Sequence, residues 1–378
     1  MRRRRFIGGL LGAGAAMGLG APESSGAGAG GPDGSDLVVT AVAGPYDWRA
    51  VPAPACTPAA QLLGVAAAGP DLAWAVGEEG RNGGTRGRPL ALVWDGGTWT
   101  RLDLTHLGFG GGYLRSVAGS AGAAWAVGVD TTGLSRLLQW DGVTWQESDF
   151  TGRALPGTSL TGVTLDADDH VWLSGRNSDG CVLLVGEGDG WLWVAPPPTP
   201  PPAAPSGLRV TPDGDVWVYD AALIARWDHE TWTELPVPAG LRPYVTGLLP
   251  VAADDIWLTG YDYGVGGPPG KPPSVTLRHW DGSAWTSVTA PFTVGMLTAI
   301  VDDGQGGPDR IAGWDFWDQT RAHHLRWEGK AWVSERGPVS SSPVLLNGLV
   351  SVPGAGGYWS VGTDSSSPYP PAQVRIEH

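Results

Sequence analysis

The sequence is poor in the residues that most often carry chemistry. It has 2 cysteines, Cys56 and Cys181, and 7 histidines in 378 residues. Two thiols exclude a disulfide framework and a thiolate metal cluster. Cys56 falls in the connection into the first repeat and Cys181 in the third, a separation that disfavours a bridge between them. The histidines have no metal-ligand spacing. His323 and His324 are adjacent, so in a strand they point to opposite faces, and His170, His229 and His279 occupy unrelated positions. Charge is scarce too, at 16% of residues, with 38 acidic against 24 basic side chains and a net charge of −14. Such a surface repels phosphate backbones and anionic membranes, which excludes nucleic acid as a partner. No Gly-rich phosphate loop, no Ser/His/Asp constellation and no amphipathic helix can be assembled. No metal and no other cofactor is expected.

Long apolar runs are missing as well. The one at residues 6–20 is shorter than the roughly 20 residues of a membrane span. It follows Arg2 to Arg5, so residues 1–30 read as a signal peptide. Arg3-Arg4-Arg5-Phe6-Ile7 resembles the twin-arginine export pattern. No cysteine lies near its end to carry a lipid anchor. Residues 31–44 are a flexible Gly/Ser/Pro spacer. The mature chain is expected to be secreted, monomeric and free of membrane insertion.

Glycine, proline and tryptophan are abundant: 60, 33 and 21 residues. That is loop-rich β-structure with large apolar side chains, each indole burying roughly 150–250 Å². The chain is organised around Trp94-Asp95-Gly96-Gly97-Thr98-Trp99. The pattern returns as Trp140-Asp141-Gly142-Val143-Thr144-Trp145 and Trp280-Asp281-Gly282-Ser283-Ala284-Trp285. Altered copies occupy 186–191, 227–232 and 327–332. The outer positions are five apart, which predicts a hairpin with a four-residue loop and two facing side chains. Asp is placed to accept turn amides, and Gly to take a positive φ.

A second tryptophan slot precedes each hairpin, usually with Gly three residues on. It holds Trp74, Trp125, Trp172, Trp217, Trp257, Arg310 and Trp359, at intervals of 40 to 53 residues. Asp220 replaces the Gly after Trp217. A short apolar strand lies upstream of each slot, at 62–65, 114–117, 160–163, 205–208, 245–248, 297–300 and 346–349. Four strands per repeat over residues 45–378 predict an all-β, seven-bladed β-propeller of four-stranded antiparallel blades. The seventh unit lacks its outer strand. Residues 46–51 read like the missing one, so the N-terminal segment is expected to close the ring through Trp48.

The Trp-x-x-Gly and Trp-Asp-Gly-x-x-Trp pair resembles the secreted bacterial propellers related to Asp-box (BNR, sialidase-like) repeats. The resemblance implies that Asp95, Asp141, Asp228 and Asp281 sit in the turn between third and outer strands, away from the face that usually carries function. It also raises catalysis. The slot expected to line the channel holds Leu63, Arg115, Thr161, Ser206, Thr246, Thr298 and Asn347. It has no carboxylate for a channel metal and one arginine where a sialidase uses three. A second ring, Glu79, Asp130, Asn177, Asp262, Asp315 and Asp364, could hold a glycosidase carboxylate pair but is more simply read as starting each loop.

Function is therefore sought on the loops between second and third strands. Blades five to seven carry Tyr261, Asp262 and Tyr263, then Trp314, Asp315, Phe316 and Trp317, then Tyr369. Aromatic faces stack on sugar C–H surfaces and carboxylates accept hydroxyls. A non-catalytic protein recognising a polysaccharide or protein at the cell envelope is the first expectation. A carbohydrate-active enzyme, hydrolase or lyase, is the alternative. A satellite core under the loop is the competing explanation for Trp314 and Trp317.

Overall fold

The repeated hairpin forms as its spacing requires. The computed structural model describes residues 45–378 apart from 151–156, 188–189, 199–204, 239–243, 265–269, 306 and 365–372. The leader, the spacer and Tyr369 therefore lie outside the described residues. Trp94 faces Trp99, Trp140 faces Trp145 and Trp280 faces Trp285 across adjacent antiparallel strands. The altered copies pair the same way, Trp227 with Trp232, Trp327 with Trp332 and Gly186 with Trp191. In the turn, the Asp95 carboxylate accepts the N–H groups of Gly97 and Thr98 at 3.0 and 2.8 Å. Asp141, Asp228 and Asp281 do the same in their blades. These amides hold the carboxyls below the usual range, Asp281 at about 2. Gly96, with φ 89°, takes a left-handed conformation closed to most L-residues.

Each hairpin ends a four-stranded sheet. Blade one is Gln61–Gly69, Leu72–Glu79, Arg88–Trp94 and Trp99–Arg101; blade two is Gly112–Gly119, Ala124–Asp130, Ser135–Trp140 and Trp145–Ser148. Blade three is Ser159–Leu165, Val171–Asn177, Gly180–Glu187 and Gly190–Val194; blade four is Gly207–Val210, Val216–Tyr219, Ile224–Trp227 and Trp232–Leu235. Blade five is Tyr244–Ala252, Asp255–Asp262, Ser274–Trp280 and Trp285–Ser287; blade six is Gly295–Asp302, Pro308–Asp315, Arg321–Trp327 and Trp332–Val339. Blade seven is Val344–Val352, Gly357–Asp364 and Gln373–Glu377. Sheet order follows chain order throughout. The first strand of every blade touches the first strand of the next, and blade seven touches blade one, so these inner strands surround the axis of a seven-bladed propeller.

The ring closes where the sequence predicts. Arg49 and His378 exchange two backbone hydrogen bonds of 2.9 Å, and Val51 N–H donates to the Ile376 carbonyl. Ala50 lies opposite Glu377, which puts Trp48 at the register position of Trp99 in blade one.

The Trp-x-x-Gly element has a backbone cause. In six blades the inner strand carries a β-bulge opposite this glycine, as where Leu62 pairs with Gly77 and Gly64 with Val76. A Cβ on Gly77 would overlap the Gln61 carbonyl oxygen. Blade four, with Asp220 in that place, pairs without a bulge. Its inner strand also begins later than expected, at Gly207, since Pro205 has no N–H to give to the ladder.

The slot tryptophans, buried except for the half-buried Trp125, work between blades. Trp74 packs edge-on against Trp140 of blade two, Trp257 against Trp327 and Trp332 of blade six, and Trp359 against Trp94 and Trp99 of blade one. Trp125 meets Trp191 of blade three. Trp172 and Trp217 share hydrophobic clusters with the hairpin indoles of blades four and five. Only blade six departs from this, with Arg310 in the slot, 1% exposed.

Candidate functional site

Two faces result. The loop face carries the connections from second to third strands and the starts of the inner strands. The turn face carries the Trp-Asp-Gly hairpins.

On the loop face, Tyr261, next to last in the second strand of blade five, pairs with Tyr244 at the start of its inner strand. Their rings stack at 4.8 Å, and Tyr263 meets both edge-on at 5.7 and 5.9 Å. Tyr244 is 56% and Tyr263 45% exposed, Tyr261 half-buried. Burial and its two tyrosine neighbours raise the Tyr261 phenol pKa. Asp262 accepts the Gly264 N–H at 2.7 Å and so turns the loop. Tyr244 was not among the sequence candidates. Its signal is the strand register, which sets it directly opposite Tyr261 and cannot be read before the bulge at Thr246 is known.

Blade six presents a second group. Trp314 and Phe316 meet at 5.8 Å, Phe316 and Trp317 at 4.9 Å. Asp315 is buried; its carboxylate accepts the Trp317 N–H at 3.0 Å and faces Arg336 and His323 at 3.4 and 3.7 Å. Arg336 also pairs with Asp318 at 2.9 Å. This scaffold turns Trp317 outward, 77% exposed. A satellite core under the loop therefore describes at most Trp314, which is half-buried, and not Trp317. Among the described residues no ring contact joins the blade-five and blade-six groups. Blade four turns tightly beside them, Asp220 accepting the N–H groups of Ala222 and Leu223.

The second ring of polar residues starts the loops. Asp130 accepts the N–H groups of Thr132 and Leu134, and Asn177 that of Asp179. Glu79 accepts the Thr57 N–H and pairs with Arg101 and Arg88. Asp364 accepts the Ser340 hydroxyl and faces Arg375. The channel slot proves to be the bulge itself: Leu63, Arg115, Thr161, Thr246, Thr298 and Asn347 are the extra residues. Several bond across to the next blade, Thr246 to the Leu297 carbonyl at 2.7 Å and Asn347 to that of Leu62 at 2.8 Å. Among the described residues no group of three or more His, Cys, Asp or Glu is placed to hold a metal. Cys56 and Cys181 are both free thiols, pushed up by burial to about 11 and about 12.

The turn face holds a cavity of about 480 Å³ between blades three and four, lined by Asp166, Asp168, His170, Trp172, Asp213 and His229. His170 and His229, unrelated in sequence, share this wall. Asp166 holds His170 at 3.0 Å, and His229 bonds the Gly214 carbonyl. Toward the axis, Arg209 of blade four reaches Asp302 of blade six at 2.5 Å, skipping blade five and spanning the channel.

Fold and surface define the class: a seven-bladed β-propeller whose loop face, with its exposed aromatic loops, is the candidate binding surface. No protein-family model and no curated protein matches the chain. Among solved structures it is similar to YCF48 bound to D1 peptide, at 13% identity over 89% of this chain and 98% of that one, TM-score 0.59. It is also similar to YCF48 from Cyanidioschyzon merolae, at 18% identity over 88% and 98%, TM-score 0.56. The WD40 β-propeller domain of Doa1 matches at 12% identity over 88% and 97%, TM-score 0.56. At such identities the likeness is one of fold.

Proposed function

We propose that this propeller is a secreted, non-catalytic binding protein that recognises a polysaccharide at the cell envelope through the loop face of blades five and six. The observation that carries the reading is the outward display of Tyr244, Tyr263 and Trp317 on loops braced from beneath. Burial rather than exposure is the rule for aromatics in this chain, so these rings are held in water at a cost in stability. Tyr and Trp offer rigid, amphipathic contact area at little entropic cost. Asp262 beside them suits hydroxyl or cationic groups. The carboxylates that a hydrolase or lyase would use in the same ring are engaged with loop amides and arginines, which favours binding over catalysis. Blades five and six supply the site; Tyr369, outside the described residues, belongs to the same proposal by its place in the sequence alone. A protein partner is the second reading, favoured by the solved propeller of similar fold that holds a peptide.

A glycan array probed with the mature chain, with products checked by mass, tests the proposal. The double variant Tyr263→Ala/Trp317→Ala is expected to melt like the parent and to lose about 2 kcal/mol or more of binding to the captured glycan. Unchanged binding in that variant would remove the site, and a shortened product would move the protein to the carbohydrate-active enzymes.

A further inference from the structure

Across the axis from these loops, blades one and two build a cationic site that the sequence showed only in part. Arg115 is the bulge residue of the blade-two inner strand, where a bulge re-aims a side chain. Arg86 comes from the loop between second and third strands of blade one. Both guanidinium groups sit at one ring: Arg86 lies 4.3 Å and Arg115 5.2 Å from the centroid of Tyr113. Arg115 also donates to the Tyr113 hydroxyl. That leaves the phenol O–H free to donate in its turn.

The site is held before any ligand arrives. Next to Arg86, the Gly87 N–H donates to the buried Glu78 carboxylate at 2.7 Å, and the Gly87 carbonyl accepts the Gly112 N–H at 2.9 Å. A Cβ on Gly87 would overlap the Glu79 carbonyl oxygen, so the loop can lie this close only with glycine there. Tyr113 follows Gly112 directly. The arginine of one blade is thus tied to the tyrosine of the next through the backbone bond between Gly87 and Gly112.

Counter-charge is short. Most arginines of this acidic chain have a carboxylate close by: Arg136 with Glu147 at 2.6 Å, Arg226 with Asp215 at 2.5 Å, Arg375 with Glu377 at 2.7 Å. Among the described residues Arg86 has only Glu78, at 3.9 Å, and that carboxylate already takes the Gly87 N–H. Among the described residues no carboxylate lies within 4.0 Å of Arg115, which is half-buried. Two cations therefore share one neutral ring with, among the described residues, one carboxylate at 3.9 Å. An incoming anion would find paired planar donors already oriented on an aromatic face.

We propose that Arg86, Tyr113 and Arg115 form a receptor for a single carboxylate. The planar guanidinium fork matches a carboxylate in two-point contact, and the phenol supplies a further donor. A polyanion laid across this face would meet Asp130, Asp262, Asp315 and Asp364 around it. One carboxylate at the end of an otherwise neutral chain would not. The group is therefore the acid end of a peptide or an isolated uronic acid. The receptor is separate from the aromatic loops and stands whether or not they bind a glycan.

The full chain is titrated calorimetrically with N-acetylglycylglycine, with its C-terminal amide, with glucuronate and with polygalacturonate. One or both of the small acids bind, the amide does not, and polygalacturonate gains nothing over glucuronate per acid group. Binding of the peptide acid alone assigns the source as a chain terminus, and binding of glucuronate alone assigns it as a sugar. Arg115→Gln weakens binding at least about tenfold, as for loss of one partner in a hydrogen-bonded charge pair, and Arg86→Gln, on an exposed loop that does not threaten folding, weakens it as well. The Tyr263→Ala/Trp317→Ala variant binds the small acids like the parent. Equal binding of acid and amide, no heat with either small acid, or unchanged affinity in Arg86→Gln overturns the proposal.

Discussion

Six of the seven seams between blades are made of indoles, and one is made of charge. At the indole seams a slot tryptophan nests on the hairpin of the next blade, as Trp359 does on Trp94 and Trp99. At the seam from blade six to blade seven the slot residue is Arg310. Its guanidinium pairs with Asp309 and lies 3.3 Å from Glu335. Glu335 also takes Arg326 at 2.9 Å, the Trp48 indole N–H at 3.2 Å and the Tyr46 N–H at 3.2 Å. Tyr358 donates to Asp309 at 2.5 Å, and His324 stacks on Trp48 at 3.6 Å. The charged seam is thus the one that holds the N-terminal strand. Indole packing is non-directional, and it serves at seams that do not have to dock a separate segment of chain. At the closure the two partners lie more than 280 residues apart in sequence. There directional bonds to one carboxylate specify how the strand docks. Buried charge is an inefficient source of stability but a means of specifying arrangement.

The largest expected effect comes from removing that strand. A chain lacking residues 45–54 has an open edge on blade seven and is expected to aggregate or to lose its single cooperative melt. A truncated chain that melts like the parent would place the closure elsewhere.

Next come single residues at the two kinds of seam. Glu335→Ala leaves Arg310 and Arg326 without their shared partner and is expected to cost about 3–5 kcal/mol in a denaturant titration. Trp359→Ala at an indole seam is expected to cost about 3–5 kcal/mol by a different route, a cavity. The two are separated by replacement: Trp359→Phe recovers part of the loss, whereas Glu335→Leu recovers none, because volume is not what is missing.

Acid separates the seams a third way, since indoles do not titrate. Burial lowers the pKa of His323, to about 2, and of His324, despite Glu377 beside the latter. Both are neutral when folded, while in the unfolded chain they take a proton near pH ~6.5. A folded pKa below the unfolded one means that acid favours unfolding. Their contribution is therefore complete above pH ~6.5 and is lost as pH falls below it, by at most about 1.4 kcal/mol per pH unit for each group. The melting temperature followed from pH 7 to 5 (about one to two units across the unfolded histidine pKa) is expected to fall less in His324→Phe than in the parent. Parallel slopes would mean that the seam does not sense protons.

The smallest effect is predicted for an indole outside every seam. Trp317→Ala is expected to change stability by no more than about 0.5 kcal/mol, as for an exposed position. A loss comparable to that of Trp359→Ala would place Trp317 in a core.

Much of this architecture was legible because it is local. The five-residue spacing of the hairpin indoles, the Asp and Gly between them and the recurrence of the unit determine strand, turn and blade within one stretch of chain. The pairing of residues 46–51 with the C-terminal strand was legible for the same reason, since an incomplete unit shows what it lacks. The channel slot was located but not understood: its residues recur because a bulge recurs, and that is visible only when the neighbouring strand and its glycine are in place.

The amino-acid sequence by itself determined the number of blades, the four strands of each and the segment that closes the ring, because each is written in short-range periodicity. Tertiary structure alone decided that slot tryptophans serve the next blade, that Arg310 belongs to the closure, that Trp317 faces solvent, and that Arg86 and Arg115 meet at Tyr113. Those contacts join different blades through loops of unequal length, and no spacing along the chain encodes the distance between them.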